Sequence, residues 1–258
     1  MQSRSIASNL GIYAYAAGAI FLGLLGLASG DFATGWQHVD PNVPFRELLA
    51  YLTAAIELAA GLALAWRRTA RAGALALTVV YFFFTIAWVP KILEGRSGYD
   101  PTGNFFEEFS LVVAGVVLFA SLSPTGSFGA RREPLFARLY GLSAISFGMV
   151  HIVDMPGLLT WIPGWIPPSR MFWAYVTTIG FFLAAAAILT GIVAPLASRL
   201  ITAEILGFEF LFWVPKLLAG PHEYFNWAGN AISVAMCGAA WVVADSIGRS
   251  VKRAATGA

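Results

Sequence analysis

Charged residues and cysteine are scarce in this 258-residue chain. Asp, Glu, Lys and Arg make up 12% of the residues, whereas a soluble globular domain carries about 25%. The single cysteine, Cys237, excludes an intrachain disulfide and a two-cysteine redox relay. A net charge of +2 offers no strongly basic face, so nucleic acid is not an expected partner. With 58% hydrophobic residues and a mean hydropathy of +0.72, the composition predicts a protein whose solvent is lipid.

Several motifs of known chemistry are also missing. The three histidines, His38, His151 and His222, match no metal-ligand spacing such as HExxH, so we expect no metal site. No GxGxxG or GxxxxGK[ST] opens a helix, which argues against nucleotide binding. No clear small-residue cleavage site follows the N-terminal apolar run, so we expect a retained helix rather than a signal peptide.

Long apolar runs are what the chain does have. Each of eight segments is close to the ~20 residues that cross a bilayer as a helix. Because lipid offers the backbone no hydrogen-bond partners, we expect helices rather than strands. The predicted fold class is therefore an all-α integral membrane protein with eight transmembrane helices. The segments cover about 10–29, 48–66, 72–90, 105–122, 140–158, 171–193, 200–218 and 227–246.

An internal recurrence indicates duplication. The stretch Trp88-Val-Pro-Lys-Ile-Leu-Glu-Gly95 returns 125 residues later as Trp213-Val-Pro-Lys-Leu-Leu-Ala-Gly220, with six of eight positions identical. We predict a first four-helix repeat over 1–122, a cytoplasmic linker over 123–139, and a second repeat over 140–258 that ends in a short basic tail. Four helices is an even number, so the repeats are expected to be parallel.

Positive charge predicts the orientation of the helices. Eleven Lys and Arg residues fall on one side of the predicted spans and five on the other, so the richer side should be cytoplasmic, with both termini inside. The eleven are Arg4, Arg67, Arg68, Arg71, Arg131, Arg132, Arg138, Arg199, Arg249, Lys252 and Arg253; the five are Arg46, Lys91, Arg96, Arg170 and Lys216.

Ionisable residues inside the apolar runs are the candidate catalytic groups, because such residues are costly in lipid and are often functional. Glu57, His151 and Glu209 are predicted at similar depth on three helices, and Asp154 lies one turn from His151. None of the first three recurs in the other half, so we expect one site shared between the halves. Structural hydrogen bonding is the alternative for each. Glu107 and Glu108 are expected to be a solvated helix start.

Aromatic and polar residues near the recurring motif are the candidate substrate-binding groups. Lys91 and Lys216 each follow a proline, and their ammonium groups would either contact a ligand or extend to the lipid headgroups. The predicted set is Trp88, Lys91, Phe212, Trp213, Lys216 and Asn230.

Each half resembles a DoxX-like four-helix unit. In the second half, the resemblance rests on His151, on the loop Trp161-Ile-Pro-Gly-Trp-Ile-Pro-Pro168 and on the helix start Phe172-Trp-Ala-Tyr175. In the first half, it rests on Tyr51-Leu-Thr-Ala-Ala-Ile-Glu-Leu-Ala-Ala-Gly61. The resemblance implies a bacterial inner-membrane protein, with relatives linked to quinone-dependent sulfur oxidation and to membrane redox complexes. It matches Glu57 and His151 to family positions.

Three functions remain open from the residues. The leading one is an oxidoreductase-associated membrane subunit that binds a lipophilic substrate such as a quinone, with acids and histidine handling protons and a partner redox protein supplying electrons. No intrinsic cofactor is expected, and membrane lipids are expected partners. The second is a non-redox enzyme acting on a lipid or isoprenoid, of the isomerase or cyclase type. The third is a transport or assembly subunit without catalysis.

Overall fold

The chain folds into helices throughout. The computed structural model describes residues 10–33, 35–95 and 98–256, and no strand occurs within these ranges. A π-helical segment, Glu209–Trp213, lies between α10 and α11. The helices are α1 (Leu10–Ser29), α2 (Arg46–Ala65), α3 (Ala70–Ala87), α4 (Val89–Glu94), α5 (Asp100–Ser121), α6 (Phe128–Arg138), α7 (Tyr140–Val153), α8 (Met155–Trp161), α9 (Arg170–Thr190), α10 (Ala194–Phe208), α11 (Val214–Ala219) and α12 (Tyr224–Thr256).

Seven helical runs of the described chain are long and apolar enough to cross a membrane. They make the protein a multi-pass membrane protein of the all-α class. Seven of the eight predicted segments fall on these runs. The remaining one, at 200–218, falls on α10, the π-helical segment and α11, so no single helix there reaches the length of a span.

Proline, glycine and small polar side chains set many of the helix ends. Proline occupies the first turn of α4, α5, α8, α10 and α11, where its missing N–H costs no hydrogen bond. Gly191 ends α9 with φ of 84°, a conformation that disfavours residues with a side chain. Ser127 caps α6, and Ser169 caps α9, by accepting a hydrogen bond from a backbone N–H three residues ahead. The predicted linker therefore contains a helix, α6.

Two bundles divide the helices. The first bundle consists of α1, α2, α3 and α5, and the second of α7, α9, α10 and α12. They meet where α1 packs along α12, where α5 packs on α7, and where α5 packs on α12. α12 and α5 are the most buried of the candidate spans. α5 is therefore a wall shared by the interiors of both bundles.

Glycines let the helices approach each other closely. A Cβ on Gly18 of α1 would collide with the backbone of Ala235 on α12, and a Cβ on Gly238 of α12 would collide with the backbone of Tyr15. In lipid, close packing of small residues is a main source of helix association, because apolar contact alone gains nothing over lipid. The contact between the bundles is therefore built on backbone proximity.

Three of the five ion pairs of the described chain lie at one end of the molecule, and the other two, Arg46–Asp31 and Lys91–Glu94, lie at the opposite end. Glu133 of α6 accepts hydrogen bonds from Arg249 (2.9 Å) and Arg253 (3.1 Å) of α12, and Arg199 of α10 pairs with Asp245 of α12. These contacts bring arginines from the predicted cytoplasmic side to a common end. The opposite end, here the long-loop end, carries residues 30–45, 154–169 and 220–223. Arg4 and Arg96 of the charge prediction lie outside the described residues.

Candidate ligand cavity

An apolar cavity lies between the bundles toward the long-loop end. The space between its lining residues, with open solvent at the mouth included, is about 840 Å³. Most of the wall comes from the second bundle, and Glu107 of α5 and Trp36 of the first long loop complete it. The lining residues are Trp36, Glu107, Phe147, Val150, His151, Asp154, Leu158, Trp161, Phe181, Ile205, Phe208, Trp213, Ile232, Ser233 and Met236.

His151 is the buried base of the cavity. Only 8% of it is exposed, and its ring lies edge-on to Phe181, with centroids 5.2 Å apart. Its Nδ1 is 3.3 Å from Thr178 Oγ1 and 3.5 Å from Thr177 Oγ1. Both threonine hydroxyls already donate to backbone carbonyls of their own helix. The two threonines thus occupy Nδ1, and Nε2 is the ring nitrogen left for a ligand.

Glu107 is the acid of the cavity, and it comes from the first bundle. Its side chain reaches the cavity from the shared wall α5, and its Oε2 is buried without a hydrogen-bond partner among the described residues. The expectation that Glu107 and Glu108 form a solvated helix start is wrong. Glu108 is 0% exposed, because α5 begins earlier, at Asp100, and is enclosed by both bundles.

Glu209 does not line the cavity, but it is buried next to residues that do. It is the first residue of the π-helical segment and is 5% exposed. Its carboxyl group lies beside Ser233, which lines the cavity, and near Cys237. Single π-turns inside helices occur often at functional sites, since they re-aim side chains. Here the π-turn places a carboxyl group and Trp213 on the side that faces α12.

Asp154 marks the mouth of the cavity. It is exposed, and it caps α8 by accepting a hydrogen bond from Gly157 N at 3.0 Å. The carboxyl group thus serves the turn between α7 and α8, while His151 uses the two threonines instead.

Aromatic rings form the roof of the cavity. Trp213 meets Trp36 at 5.5 Å between centroids, and Phe212 stacks on Trp161 at 4.9 Å. The Lys216 ammonium lies over Phe212 at 5.0 Å from the ring centroid, a cation–π contact. Trp213 therefore lines the cavity. Phe212 and Lys216 line a neighbouring surface groove that shares Trp161 with it.

Comparisons with protein-family models, with curated proteins and with solved structures found no match for this chain. The resemblance to DoxX-like units stays a prediction.

Several other candidate residues lie away from the cavity lining. Trp88 donates its indole N–H to Trp36 O at 2.7 Å, and Lys91 pairs with Glu94 at 3.2 Å. Asn230 donates to Trp213 O at 2.9 Å and so positions the tryptophan.

Glu57 is not part of the cavity wall. It is buried inside the first bundle, where its Oε1 accepts a hydrogen bond from Gln37 Nε2 at 2.7 Å. The structure thus brings His151 and Glu209 toward one cavity and separates Glu57 from them. The rise along a helix gives the depth of a residue in the membrane, and the three residues were predicted at equal depth on that basis. The rise does not give the direction in which a side chain faces, which depends on how the helices pack.

Proposed function

We propose that the chain crosses a bacterial inner membrane eight times, as two parallel four-helix repeats with cytoplasmic termini. The continuous helical run from Ala194 to Ala219, including its π-turn, is about 39 Å long at 1.5 Å per residue, enough for an eighth span. The contacts between the bundles support the duplication. Exchanging the repeats turns the α1–α12 contact into the α7–α5 contact, and both are present. The ion pairs at the arginine-rich end support the orientation.

We propose further that the protein is an oxidoreductase-associated membrane subunit that binds a quinone-type molecule in the cavity. One observation carries this proposal. An apolar, aromatic-walled cavity contains a histidine whose Nδ1 is occupied by threonines, leaving Nε2 for a ligand, and an acid with a buried oxygen that lacks a partner among the described residues. A quinone ring with two opposed oxygens and an isoprenoid tail combines the apolar surface and the hydrogen-bonding groups that such a wall recognises.

The residues account for the proton half of the chemistry. Reduction of a quinone to a quinol takes two electrons and two protons. His151 and Glu107 are placed to deliver protons to the two oxygens, since general acid–base groups act from hydrogen-bond distance. The electrons come, in this proposal, from a partner redox protein. Trp213, Phe181 and Phe208 hold the ring by aromatic contact.

Quinone titration of the purified protein in lipid nanodiscs tests this function. Trp36, Trp161 and Trp213 line the cavity, so a short-chain quinone should quench tryptophan fluorescence as it binds. Glu107→Leu and His151→Phe should each weaken binding by about tenfold, the cost of roughly one hydrogen bond to a ligand oxygen. Glu204→Leu is the matched control, since that half-buried acid lines a different groove.

The same titration distinguishes the competing functions. Unchanged quinone affinity in both Glu107→Leu and His151→Phe would overturn the proposal. Retention of an isoprenoid alcohol in native mass spectra, with no quinone binding, would favour the non-redox lipid enzyme.

A further inference from the structure

A second group of ionisable residues fills the interior of the first bundle. Each helix of that bundle contributes one side chain: Tyr15 from α1, Glu57 from α2, Tyr81 from α3 and Glu108 from α5. Their exposed fractions are 0%, 1%, 0% and 0%. The Tyr15 and Tyr81 rings meet at 6.0 Å, and both phenols lie within the electrostatic range of both carboxyl groups. We call these four residues the carboxyl cluster.

Few hydrogen bonds satisfy this cluster. Gln37 Nε2 donates to Glu57 Oε1, while Gln37 Oε1 accepts from Ala33 N at 3.0 Å, which fixes the direction of the amide. Tyr15 Oη donates to Leu111 O at 2.8 Å. Both Glu108 oxygens and Tyr81 Oη have no partner among the described residues.

No cation of the described chain compensates the two acids. None of its ion pairs includes Glu57 or Glu108, and Arg46, the first residue of α2, is paired with Asp31 at 2.5 Å. At the cluster's edge, Tyr224 of α12 is the further titratable group that faces Glu57. Two carboxylates that share a buried, low-dielectric space repel each other and lose their hydration, so at least one must be neutral. They titrate as a pair rather than as two independent groups.

The shared wall α5 connects this pair to the cavity. Glu108 faces the interior of the first bundle, while the preceding residue, Glu107, lines the cavity of the second. We propose that Glu57 and Glu108 form a proton-binding pair that exchanges protons with the cavity through Glu107. The two carboxyl groups are not in hydrogen-bond contact, so in this proposal a bridging water molecule takes the proton from the Glu108 carboxyl group and passes one on to the Glu107 carboxylate. The pair is refilled from the cavity by the reverse transfer. Only the use of this proton, for reducing a quinone, rests on the proposed function.

Infrared spectroscopy of the protein in lipid membranes tests the pair without any quinone. The parent should show a carboxylic-acid C=O band at neutral pH that Glu57→Gln or Glu108→Gln removes or shifts. Glu94→Gln is the control, because that acid is exposed and paired only with Lys91. Tyr81→Phe provides a second probe should either substitution prevent folding. Removing the phenol next to the pair should shift the band while the helices remain intact by circular dichroism.

Exchange into D₂O tests the route. The C=O band of a buried acid shifts when its proton is replaced by deuterium. In Glu107→Gln the band should persist, but its deuterium shift should be slower by about tenfold or more, because a positioned proton carrier has been removed.

Two results would overturn the proposal. A band unaffected by Glu57→Gln, Glu108→Gln and Tyr81→Phe would show that the pair holds no proton. Exchange in Glu107→Gln at the parent rate would remove Glu107 from the route. Loss of quinone binding alone touches neither result, so the two proposals fail separately.

Discussion

The interiors of the two bundles differ in closure, although recurring positions build both. Trp88 and Trp213 belong to the recurring motif and are both nearly buried. In the first bundle, the indole of Trp88 is covered by His38, stacked at 4.8 Å, and bonded to the Trp36 carbonyl. In the second, Trp213 borders the cavity. The tryptophan of the recurring motif is therefore covered by other residues in the first bundle, whereas in the second bundle it lines the cavity.

Side-chain size at matched positions accounts for much of the difference. At the spacing of 125, Glu108 corresponds to Ser233, and Phe84 to Glu209. Phe84 is 0% exposed and fills the first interior, whereas Ser233 is small and leaves space at the cavity wall. Two bundles that share a sequence motif can thus hold a sealed acid pair on one side and an open cavity on the other, by exchanging bulky and small residues at matched positions.

The largest expected effect compares two matched glycines. Gly23 and Gly148 are 125 residues apart, and both lie at a contact between the first two spans of their bundle. A Cβ on Gly23 would stand 2.6 Å from the backbone atoms Ala54 O and Leu58 N. A Cβ on Gly148 would meet the Phe182 ring at 2.9 Å, and that side chain can rotate. Gly23→Val should cost about 3 kcal/mol of unfolding free energy, and Gly148→Val clearly less.

Unfolding in mixed micelles, followed by tryptophan fluorescence, measures the two glycine variants under identical conditions. Gly207→Leu is the control, because a Cβ there has open space. Equal losses for Gly23→Val and Gly148→Val would show that the first bundle is no more tightly closed than the second.

The second effect tests the sealed polar contact of the first bundle. Gln37→Leu removes the donor to Glu57 and the acceptor for Ala33 N, leaving buried groups without partners. We expect a loss of about 2 kcal/mol. The double variant Gln37→Leu/Glu57→Leu should recover part of this loss, since an apolar pair no longer buries an unpartnered carboxyl group. The same micelle unfolding assay measures both, and a double variant less stable than Gln37→Leu would contradict the explanation.

The sequence predicted the spans better than the faces of the helices. Segment 10–29 ends at Ser29, as α1 does, because a long apolar run that is followed by polar residues leaves few alternatives in lipid. Asp154, by contrast, ends α7 inside the predicted segment 140–158, because its side chain caps α8. The π-turn at Glu209 left no signal in the apolar pattern.

Only some of the residues around the cavity could be predicted from the sequence. His151 stood out because a histidine within an apolar run is rare. Glu107 and Glu108 are adjacent acids near a predicted helix start, which usually indicates solvent. Trp36 and Gln37 lie in a loop, and nothing in their spacing shows that the loop folds back into the bundles. Assigning these residues requires the three-dimensional packing of α5.

A smaller effect is expected at the open cavity. His151→Phe removes a histidine whose partner hydroxyls, on Thr177 and Thr178, keep their own hydrogen bonds to backbone carbonyls. No buried polar group is left stranded, so unfolding free energy should change by less than about 1 kcal/mol. The contrast with Gln37→Leu in the same assay is the informative quantity. A loss at His151 as large as that at Gln37 would mean that the cavity wall depends on its polar contacts as the sealed interior does.

The smallest expected effect is on the pH dependence of stability, and it arises from His38, which stacks on Trp88 of the first bundle. Burial against Trp88, followed by the charge of Lys91, lowers the pKa of His38 below its usual value. The folded protein thus prefers the neutral imidazole. Above the unfolded-state pKa of about 6.5, His38 is neutral in both the folded and the unfolded protein, so its burial costs no stability. Below that pH the unfolded protein binds a proton more readily than the folded one, and the free energy of unfolding falls as the pH drops toward the folded-state pKa. His38→Gln should flatten the dependence of stability between about pH 7 and pH 5, and Lys91→Met should reduce it in part. Thermal unfolding across that pH range measures the slope, and an unchanged slope in His38→Gln would show that the cover of Trp88 does not respond to protonation.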